Sequence, residues 1–378
     1  MIDYRELTQD TPQCHILVGP NGSGKSTLLY KIARDVSADG LQAIALSNTP
    51  FSAFEAGTDK RISVVNPFRR TLKRVAFETI TQSLDFERDT NFHILRILDF
   101  LRFKPIIAFK IKQQSYRNFL ASNPDAWRDA ERREIIAGFL ERSSGKDFVY
   151  DLTDSVSVRT RLADLHLFLE TALETRLRDA LTGTDIFLVD SQAQLIPMTR
   201  ASSGQISLIL TLFAVASRAK HTRAILIDEP ENSLHPSWQR QYCELILGSV
   251  QRRDVDLFIA THSPMLVSGG LESNLDDIRV LRVSGGYTGT FATPISDRLS
   301  SSNIETILYD DFETLTPESR FLSELITDLI NDVLNDKLTR SEFLLRINRF
   351  KLRSFSDDQK RFLDGTIELL DSLLRQMG

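Results

Sequence analysis

The fold of this chain is decided by one stretch, Gly19-Pro20-Asn21-Gly22-Ser23-Gly24-Lys25-Ser26-Thr27. It has the spacing of a phosphate-binding loop, in which a glycine is followed, after four intervening residues, by Gly-Lys-Ser. The apolar run Cys14–Val18 before it predicts a buried strand, and the run Leu28–Ala33 after it predicts a helix. A strand, a glycine-rich loop and a helix in this order indicate an α/β domain that binds phosphate groups.

Each part of this loop has an expected task. Glycines let the backbone curl so that several N–H groups point at one phosphate, and the start of the helix adds its positive dipole end. Lys25 is expected to neutralise the β- and γ-phosphates of a nucleotide, and the Ser26 hydroxyl to bind Mg²⁺. We therefore predict ATP and Mg²⁺ as cofactors, with residues 19–27 as the phosphate contacts.

Two acidic residues, Asp228 and Glu229, end a second apolar run, Ala224–Ile227. Ligands of open α/β sheets bind at the carboxyl ends of the strands, so these side chains are expected at the nucleotide. Asp228 is predicted to contact Mg²⁺. Glu229 is predicted to be the general base that takes a proton from the attacking water.

Further apolar runs alternate with helical patterns before residue 66 and again from 184 to about 295. This alternation predicts a mainly parallel sheet covered by helices. The strand candidates are 43–46, 62–65, 186–189 and 257–260, and the helix candidates are 206–219 and 238–250.

Elsewhere apolar residues recur at helical spacing, as at Leu95, Leu98 and Leu101. The expected fold class is α/β, a phosphate-loop head with a compact helical insertion and a helical C-terminal module. The regions are predicted as 1–66 (first part of the head), 67–183 (insertion), 184–302 (second part of the head) and 303–378 (C-terminal module).

Composition narrows the class of protein. No apolar run approaches the roughly 20 residues of a membrane span, and Met1–Asp10 is polar and acidic, unlike a signal peptide. The two cysteines, Cys14 and Cys243, do not form a disulfide framework, so we expect a cytoplasmic protein with no membrane contact. The net charge of −5 argues against coating nucleic acid by bulk electrostatics, but a local basic patch stays open.

The segment Ala201-Ser202-Ser203-Gly204-Gln205 precedes the acidic strand and resembles the signature motif of ABC ATPases, usually Leu-Ser-Gly-Gly-Gln. Ser202, Gly204 and Gln205 match that pattern, whereas Ala201 and Ser203 depart from it. Serine at the third position is familiar in the SMC-like branch of the family. Taken alone, the segment would be a helix N-cap, and its order among the other motifs makes it specific.

Two further segments resemble the SMC-like and OLD-like group of ABC ATPases. Glu231–Pro236 is similar to the D-loop of that group, and Ala260–Pro264 to its switch-histidine motif. The resemblance implies that His262 contacts the γ-phosphate and the attacking water. It also implies that Ser202, Ser203, Gly204 and Gln205 reach a nucleotide held by another chain, in a head-to-tail homodimer or a higher even-numbered oligomer.

Some parts of the ABC pattern have no clear counterpart. Asn66 and Gln82 are the candidates for the Q-loop glutamine, and Tyr4 is available as an adenine-stacking residue. Little chain precedes Gly19, so the antiparallel β-subdomain that usually lies there is truncated or completed from elsewhere.

A basic cluster opens the insertion, with Arg69, Arg70, Lys73 and Arg74 on one predicted helix. It is either a nucleic-acid contact or a solvated helix face, and the solvated face is the commoner case. In SMC relatives a long coiled-coil arm occupies this place, and no heptad repeat is seen here.

Three functions are compatible with these motifs. The first is the ATPase of a bacterial anti-phage system that controls a separate effector, such as a nuclease; the segment Asn48–Phe51 loosely resembles Septu-like and retron-associated ATPases. The second is a DNA-repair ATPase of RecF type. The third, an ABC transporter subunit, is disfavoured by the missing Q-loop and by the helical insertion. No nuclease motif is recognised in the chain, so the effector is expected on another polypeptide.

Overall fold

The computed structural model describes residues 13–49, 59–66, 88–112, 148–153, 184–250, 254–272, 278–286, 289–294, 320–352 and 357–377, with a few single residues between these ranges. Within those ranges, no helix is both long enough and apolar enough to cross a bilayer. Several predicted features lie outside the described residues: the basic helix Arg69–Arg74, Tyr4 and Gln82.

The described strands form two sheets. Their bounds are β1 Cys14–Val18, β2 Ala43–Ser47, β3 Ile62–Val65, β4 Phe103–Ile111, β5 Phe148–Asp151, β6 Thr184–Asp190, β7 Leu195–Pro197, β8 Ala224–Asp228, β9 Asp256–Ala260, β10 Ile278–Gly286 and β11 Gly289–Pro294. The α-helices are α1 Lys25–Ala38, α2 Arg88–Phe100, α3 Ser203–Arg218, α4 Pro236–Val250, α5 Pro264–Glu272, α6 Arg320–Leu334, α7 Arg340–Leu352 and α8 Asp357–Met377.

The larger sheet has the strand order β11-β10-β1-β9-β8-β2-β3. Every neighbouring pair from β10 to β3 is parallel, and only β11 runs antiparallel at one edge. All residues of β1, β2, β8 and β9 are buried, as expected for parallel strands that are covered on both faces. The predicted α/β fold with a mainly parallel sheet is confirmed.

The two faces of this sheet have separate cores. Leu17, Leu226 and Phe258 pack with α1 on one side, while Ile16, Ile225 and Leu257 pack with α3, α4 and α5 on the other. Adjacent strand residues therefore serve opposite layers, which follows from the two-residue repeat of a strand. Both cysteines are buried and free.

The smaller sheet, in the order β5-β4-β6-β7, is antiparallel. The expectation of a helical insertion is therefore wrong for Phe103–Ile111 and Phe148–Asp151, although the helix predicted around Leu95 is present as α2. The strand predicted at 186–189 exists as β6, but it pairs with β4 and not with the parallel sheet.

The cause of this difference is long-range pairing. Ile107 and Phe109 of β4, with Ile186 and Leu188 of β6, share one core with α2, so the strand conformation buries apolar side chains that a helix would leave exposed. Pairing between β4 and β6 joins residues that are about 75 positions apart, which a local apolar pattern cannot indicate.

The C-terminal helices α6, α7 and α8 form a third core, separate from the other two. The ends of α7 and α8 are tied by a bidentate ion pair from Arg340 to Asp371, at 2.7 and 2.8 Å. Lys351 and Asp364 form a second ion pair between the same helices. The core is lined by apolar side chains at helical spacing: Leu322, Ile326, Leu329, Val333, Phe343, Ile347, Phe350, Leu363 and Leu370. The helical C-terminal module is thus confirmed.

Phe343→Ala is expected to destabilise this module by about 3–5 kcal/mol, because Phe343 is fully buried and its removal leaves a cavity. Hydrogen exchange of the α6–α8 amides, followed by mass spectrometry, measures the change. Leu345→Ala is the control on the same helix, since Leu345 is 62% exposed, and it should change protection little. Equal loss of protection in both variants would contradict the described core.

Candidate functional site

The phosphate loop runs from the end of β1 to the start of α1 and depends on two glycines. Gly19 has a φ of +152°, and a Cβ there would lie 2.5 Å from the Val283 carbonyl oxygen. Gly24 caps α1 in the left-handed conformation, with a φ of +92°. A side chain at either position would strain the loop, so the glycines set the curled path that a phosphate requires.

Lys25 is buried beneath this loop. Its Nζ donates to the carbonyl oxygens of Gly19 (2.8 Å) and Pro20 (3.2 Å) and lies 3.4 Å from Nδ1 of His262. Burial lowers the pKa of the Lys25 ammonium to about 8, although three nearby carboxylates, led by that of Glu229, act to raise it. The phosphate loop thus holds the Lys25 ammonium close to the place where the phosphates of a nucleotide are predicted to bind.

Ser26 and Asp228 join the phosphate loop to the end of β8. The Ser26 hydroxyl donates to Oδ1 of Asp228 at 2.9 Å. Burial raises the pKa of the Asp228 carboxyl to about 6, and the hydrogen bond from Ser26 acts in the opposite direction. A separation of 2.9 Å matches neighbouring oxygens around an octahedral Mg²⁺ with bonds of about 2.1 Å, so this oxygen pair fits the predicted metal.

Glu229 follows directly and has a left-handed backbone, with a φ of +50°. Its amide donates to the Ala260 carbonyl oxygen at 2.9 Å, which holds the turn against β9. One carboxylate oxygen accepts from Asn232 at 3.1 Å, and the other lies 3.5 Å from Nε2 of His262. The carboxylate is therefore placed at the exposed mouth of the site, where a water molecule can reach it.

His262 bridges the two charged groups. Its Nδ1 faces the Lys25 ammonium and its Nε2 faces the Glu229 carboxylate. Burial lowers the pKa of the imidazole, the Lys25 charge lowers it further, and Glu229 opposes both. A neutral ring suits this place, because an imidazolium would lie beside the ammonium.

Glu231 is a site residue that the sequence reasoning treated only as part of the D-loop. Its Oε1 accepts the His262 backbone N–H at 2.5 Å, its Oε2 is buried, and the carboxylate also accepts from the Thr261 hydroxyl and from its own backbone N–H. Burial raises the pKa of this carboxyl. The only signal in the sequence was a second acid two residues after Glu229.

The signature segment begins α3 and does not join this cluster of side chains. Ser202 caps the helix: its hydroxyl accepts the Gln205 N–H at 3.2 Å, and Gln205 Oε1 accepts the Ser202 N–H at 3.0 Å. Ser202 and Ser203 are exposed, whereas Gly204 is buried. A Cβ on Gly204 would lie 2.6 Å from the Ser233 carbonyl oxygen, so the glycine allows the D-loop to pack on the helix start.

Asn48 is a second residue that the sequence reasoning did not assign to the site. It follows β2, where its amide N–H donates to the Asp228 carbonyl oxygen at 3.3 Å. Its side chain donates to the Ser207 hydroxyl of α3 at 2.5 Å. The Q-loop candidate Asn66 is buried one strand further out and donates to the Thr49 carbonyl oxygen at 3.1 Å, so its role stays a prediction.

Comparison with known families gives one match. The family model described as "AAA domain, putative AbiEii toxin, Type IV TA system" matches residues 14–268, which run from β1 into α5. No curated protein matches the chain.

Solved structures that match part of the chain include heads of SMC proteins. The SMC head domain from Thermotoga maritima has a TM-score of 0.24 and 12% identity over 29% of this chain and 39% of its own. An Smc head with an extended coiled coil, bound to the C-terminal domain of ScpA, from Pyrococcus furiosus gives 0.24 and 13%, over 49% and 53%. An Smc head with a coiled coil and joint from Pyrococcus yayanosii gives 0.24 and 11%, over 60% and 57%. The chain thus spans between about two fifths and three fifths of the length of these structures.

The affinity for Mg²⁺-ATP is expected to be highest between about pH 6 and pH 8. Above pH 6 the Asp228 carboxyl has lost its proton, and below pH 8 the Lys25 ammonium keeps its charge. Dissociation constants of a fluorescent ATP analogue between pH 5 and pH 9 measure both limits.

Asp228→Asn is the matched control for the acid limit. The ratio of its dissociation constant to that of the wild type cancels the titration of the nucleotide, and this ratio should rise as pH increases through 6. A ratio that stays constant, or an affinity that does not fall above pH 8, would contradict the assignment.

Proposed function

The chain belongs to the AAA-domain family whose model matches residues 14–268, and from that premise we propose that it is an ABC-type ATPase that hydrolyses ATP at Lys25, Asp228, Glu229 and His262. One observation carries the proposal. The hydroxyl of Ser26 meets the Asp228 carboxylate at 2.9 Å, while the His262 ring lies within 3.5 Å of both the Lys25 ammonium and the Glu229 carboxylate. The predicted phosphate loop, the predicted metal-binding pair and the predicted general base therefore share one edge of the sheet.

The proposed reaction is attack of water on the γ-phosphorus of ATP, with loss of ADP. Glu229 takes the proton from the water as its oxygen bonds to phosphorus, and the bond from the γ-phosphorus to the bridging oxygen breaks. Lys25 and the N–H groups of the loop stabilise the negative charge on the phosphate oxygens. Ser26 and Asp228 would hold Mg²⁺, which would supply further positive charge beside the phosphate oxygens.

The switch histidine completes this arrangement. His262 is well placed to hold the attacking water or a γ-phosphate oxygen, because its ring lies between the general base and the phosphate-binding lysine. A low pKa keeps the ring neutral, so one nitrogen can donate while the other accepts.

The proposal includes a head-to-tail homodimer with ATP at the interface. It is supported by the exposure of Ser202 and Ser203 at the start of α3, in a capped helix whose dipole favours an anion. Within the cap the Ser202 hydroxyl is an acceptor, so it can still donate its own proton to a nucleotide on a second chain. Each composite site would then take its phosphate loop from one chain and its signature segment from the other.

The proposed biological role is control of a separate effector, such as a nuclease, in bacterial anti-phage defence. The family description names a toxin of a type IV toxin–antitoxin system, and this favours a defence role over the RecF-like repair role. The C-terminal helices have a core of their own and are a candidate docking module for the effector. Direct action on DNA remains the alternative, through the basic segment Arg69–Arg74. A role as a transporter subunit is the least favoured.

Glu229→Gln is expected to bind ATP, to lower kcat by about 100-fold or more, and to accumulate as an ATP-bridged dimer. The amide keeps the shape of the side chain but cannot take the proton. Light scattering with and without ATP measures the mass, and phosphate release measures the rate. Glu244→Gln, on the exposed face of α4, is the matched control and should behave as the wild type. A variant that hydrolyses ATP normally and stays monomeric would contradict both assignments.

Mixing two inactive variants tests the head-to-tail arrangement. Lys25→Ala disables the phosphate loop, and Ser202→Arg blocks the signature surface, so neither should hydrolyse ATP alone. A mixed dimer retains one of its two composite sites, and about half of the dimers in an equal mixture are mixed, so we expect recovery of about a quarter of the wild-type activity. No recovery, although the two chains associate, would exclude a composite site.

The cellular role is tested with the same variants in the source organism. If the defence role is right, Lys25→Ala and Glu229→Gln should abolish protection against phage while resistance to DNA damage stays unchanged. Normal protection together with sensitivity to DNA damage would favour the repair alternative.

A further inference from the structure

We propose that Glu231 is the positioning residue that sets the place of His262 for hydrolysis, and that it ties this histidine to the D-loop. The inference rests on the proposed ATPase function and adds a residue to its site.

The main contact is between a carboxylate and a backbone N–H. Glu231 Oε1 accepts the backbone N–H of His262 at 2.5 Å. The ring of the same residue faces Lys25 and Glu229. A charged acceptor makes a shorter and stronger hydrogen bond than a neutral one. Because the bond is made to the backbone of His262, it fixes where the side chain starts and limits how far the ring can move.

The burial of Glu231 supports a dedicated role. Its second oxygen, Oε2, is buried. Burying a carboxylate costs free energy, and an apolar residue at this position would avoid the cost. Hydrogen bonds from the His262 N–H, from the Thr261 hydroxyl and from its own backbone N–H are the gain that a carboxylate brings there, and two of these three donors belong to the His262 loop.

A second contact ties the same loop to the same segment. The Ser263 hydroxyl donates to Gln239 Oε1 at 2.6 Å, and Gln239 Nε2 donates to the Leu234 carbonyl oxygen at 2.9 Å. The loop that carries His262 is therefore held at two successive residues by the segment 231–239. A shift of the segment 231–239 would therefore move the His262 loop through both contacts, the one at Glu231 and the one at Gln239.

The segment 231–239 also touches the signature helix between these two anchors. A Cβ on Gly204 would lie 2.6 Å from the Ser233 carbonyl oxygen. The start of α3 thus contacts the segment 231–239 between the two residues that hold the His262 loop. In the proposed dimer, a nucleotide engaged by the signature segment would set the segment 231–239, and Glu231 would set His262.

The hydrogen bond itself is tested by NMR. Labelling histidine with ¹⁵N gives at most six backbone amide signals, because the chain has six histidines, and His262→Gln identifies the signal of residue 262 by its loss. Glu231→Ala should move this signal upfield in the proton dimension, since the N–H loses a charged acceptor. Glu244→Ala, which removes an exposed glutamate from α4, should leave it in place. An unmoved signal in Glu231→Ala would overturn the proposal.

The effect on hydrolysis is tested by a double-mutant cycle. Glu231→Ala should lower kcat by about 10- to 100-fold with little change in the KM for ATP, because the histidine is misplaced while the phosphate loop is intact. Glu231→Gln keeps an oxygen for the N–H and should recover most of the loss. In a His262→Gln background, Glu231→Ala should lower kcat by much less than it does alone.

The outcomes separate the two proposals. A wild-type protein without ATPase activity would defeat the proposed function. An active wild type in which Glu231→Ala keeps its kcat, or loses as much kcat in the His262→Gln background as alone, would defeat the role of Glu231. Melting curves check folding, and if Glu231→Ala does not fold, Glu231→Asp replaces it, because the shorter side chain keeps the charge and withdraws the acceptor.

Discussion

The position of β9 between β1 and β8 is the constraint on which the site depends. Ala260, the last residue of β9, is in register with Leu17 of β1 on one side and with Asp228 of β8 on the other. The loops that follow these three strands must therefore emerge side by side at one edge of the sheet. The loop after β1 is the phosphate loop, the loop after β8 carries Glu229, and the loop after β9 carries His262. Parallel pairing alone therefore brings together side chains that are up to 237 positions apart.

Burial then shifts the pKa values of the charged groups that this register brings together. Lys25 and Asp228 both lie at this edge of the sheet. Burial lowers the pKa of the lysine to about 8 and raises that of the aspartate to about 6. The two values approach each other because desolvation disfavours the charged form of each group. A divalent cation beside Asp228 would favour its carboxylate, and phosphate oxygens beside Lys25 would favour its ammonium, so both bound groups would oppose the effect of burial.

The segment 231–239 connects the signature helix α3 to the loop that carries His262. Within nine residues it packs on the signature helix through Ser233 and holds the His262 loop through Glu231 and Gln239. The backbone is left-handed at Glu229, just before this segment, and at Ser233 within it, with φ values of +50° and +75°. Such positions are costly for residues with a side chain and persist where surrounding contacts maintain them, as at sites that have a function.

The amino-acid sequence by itself determined the phosphate loop, the parallel sheet and the acids at the end of β8. These features have local signals: glycine spacing, apolar runs of strand length and a change from apolar to acidic residues. The likeness to a known family added the signature segment and His262, whose roles stay proposals. Only the tertiary structure decided that Phe103–Ile111 is a strand, that Gly204 lies against Ser233 and that Glu231 holds His262. Each of these depends on a partner 29 or more positions away, and no local pattern of polarity or spacing encodes which distant residue a strand, a glycine or a buried carboxylate will meet.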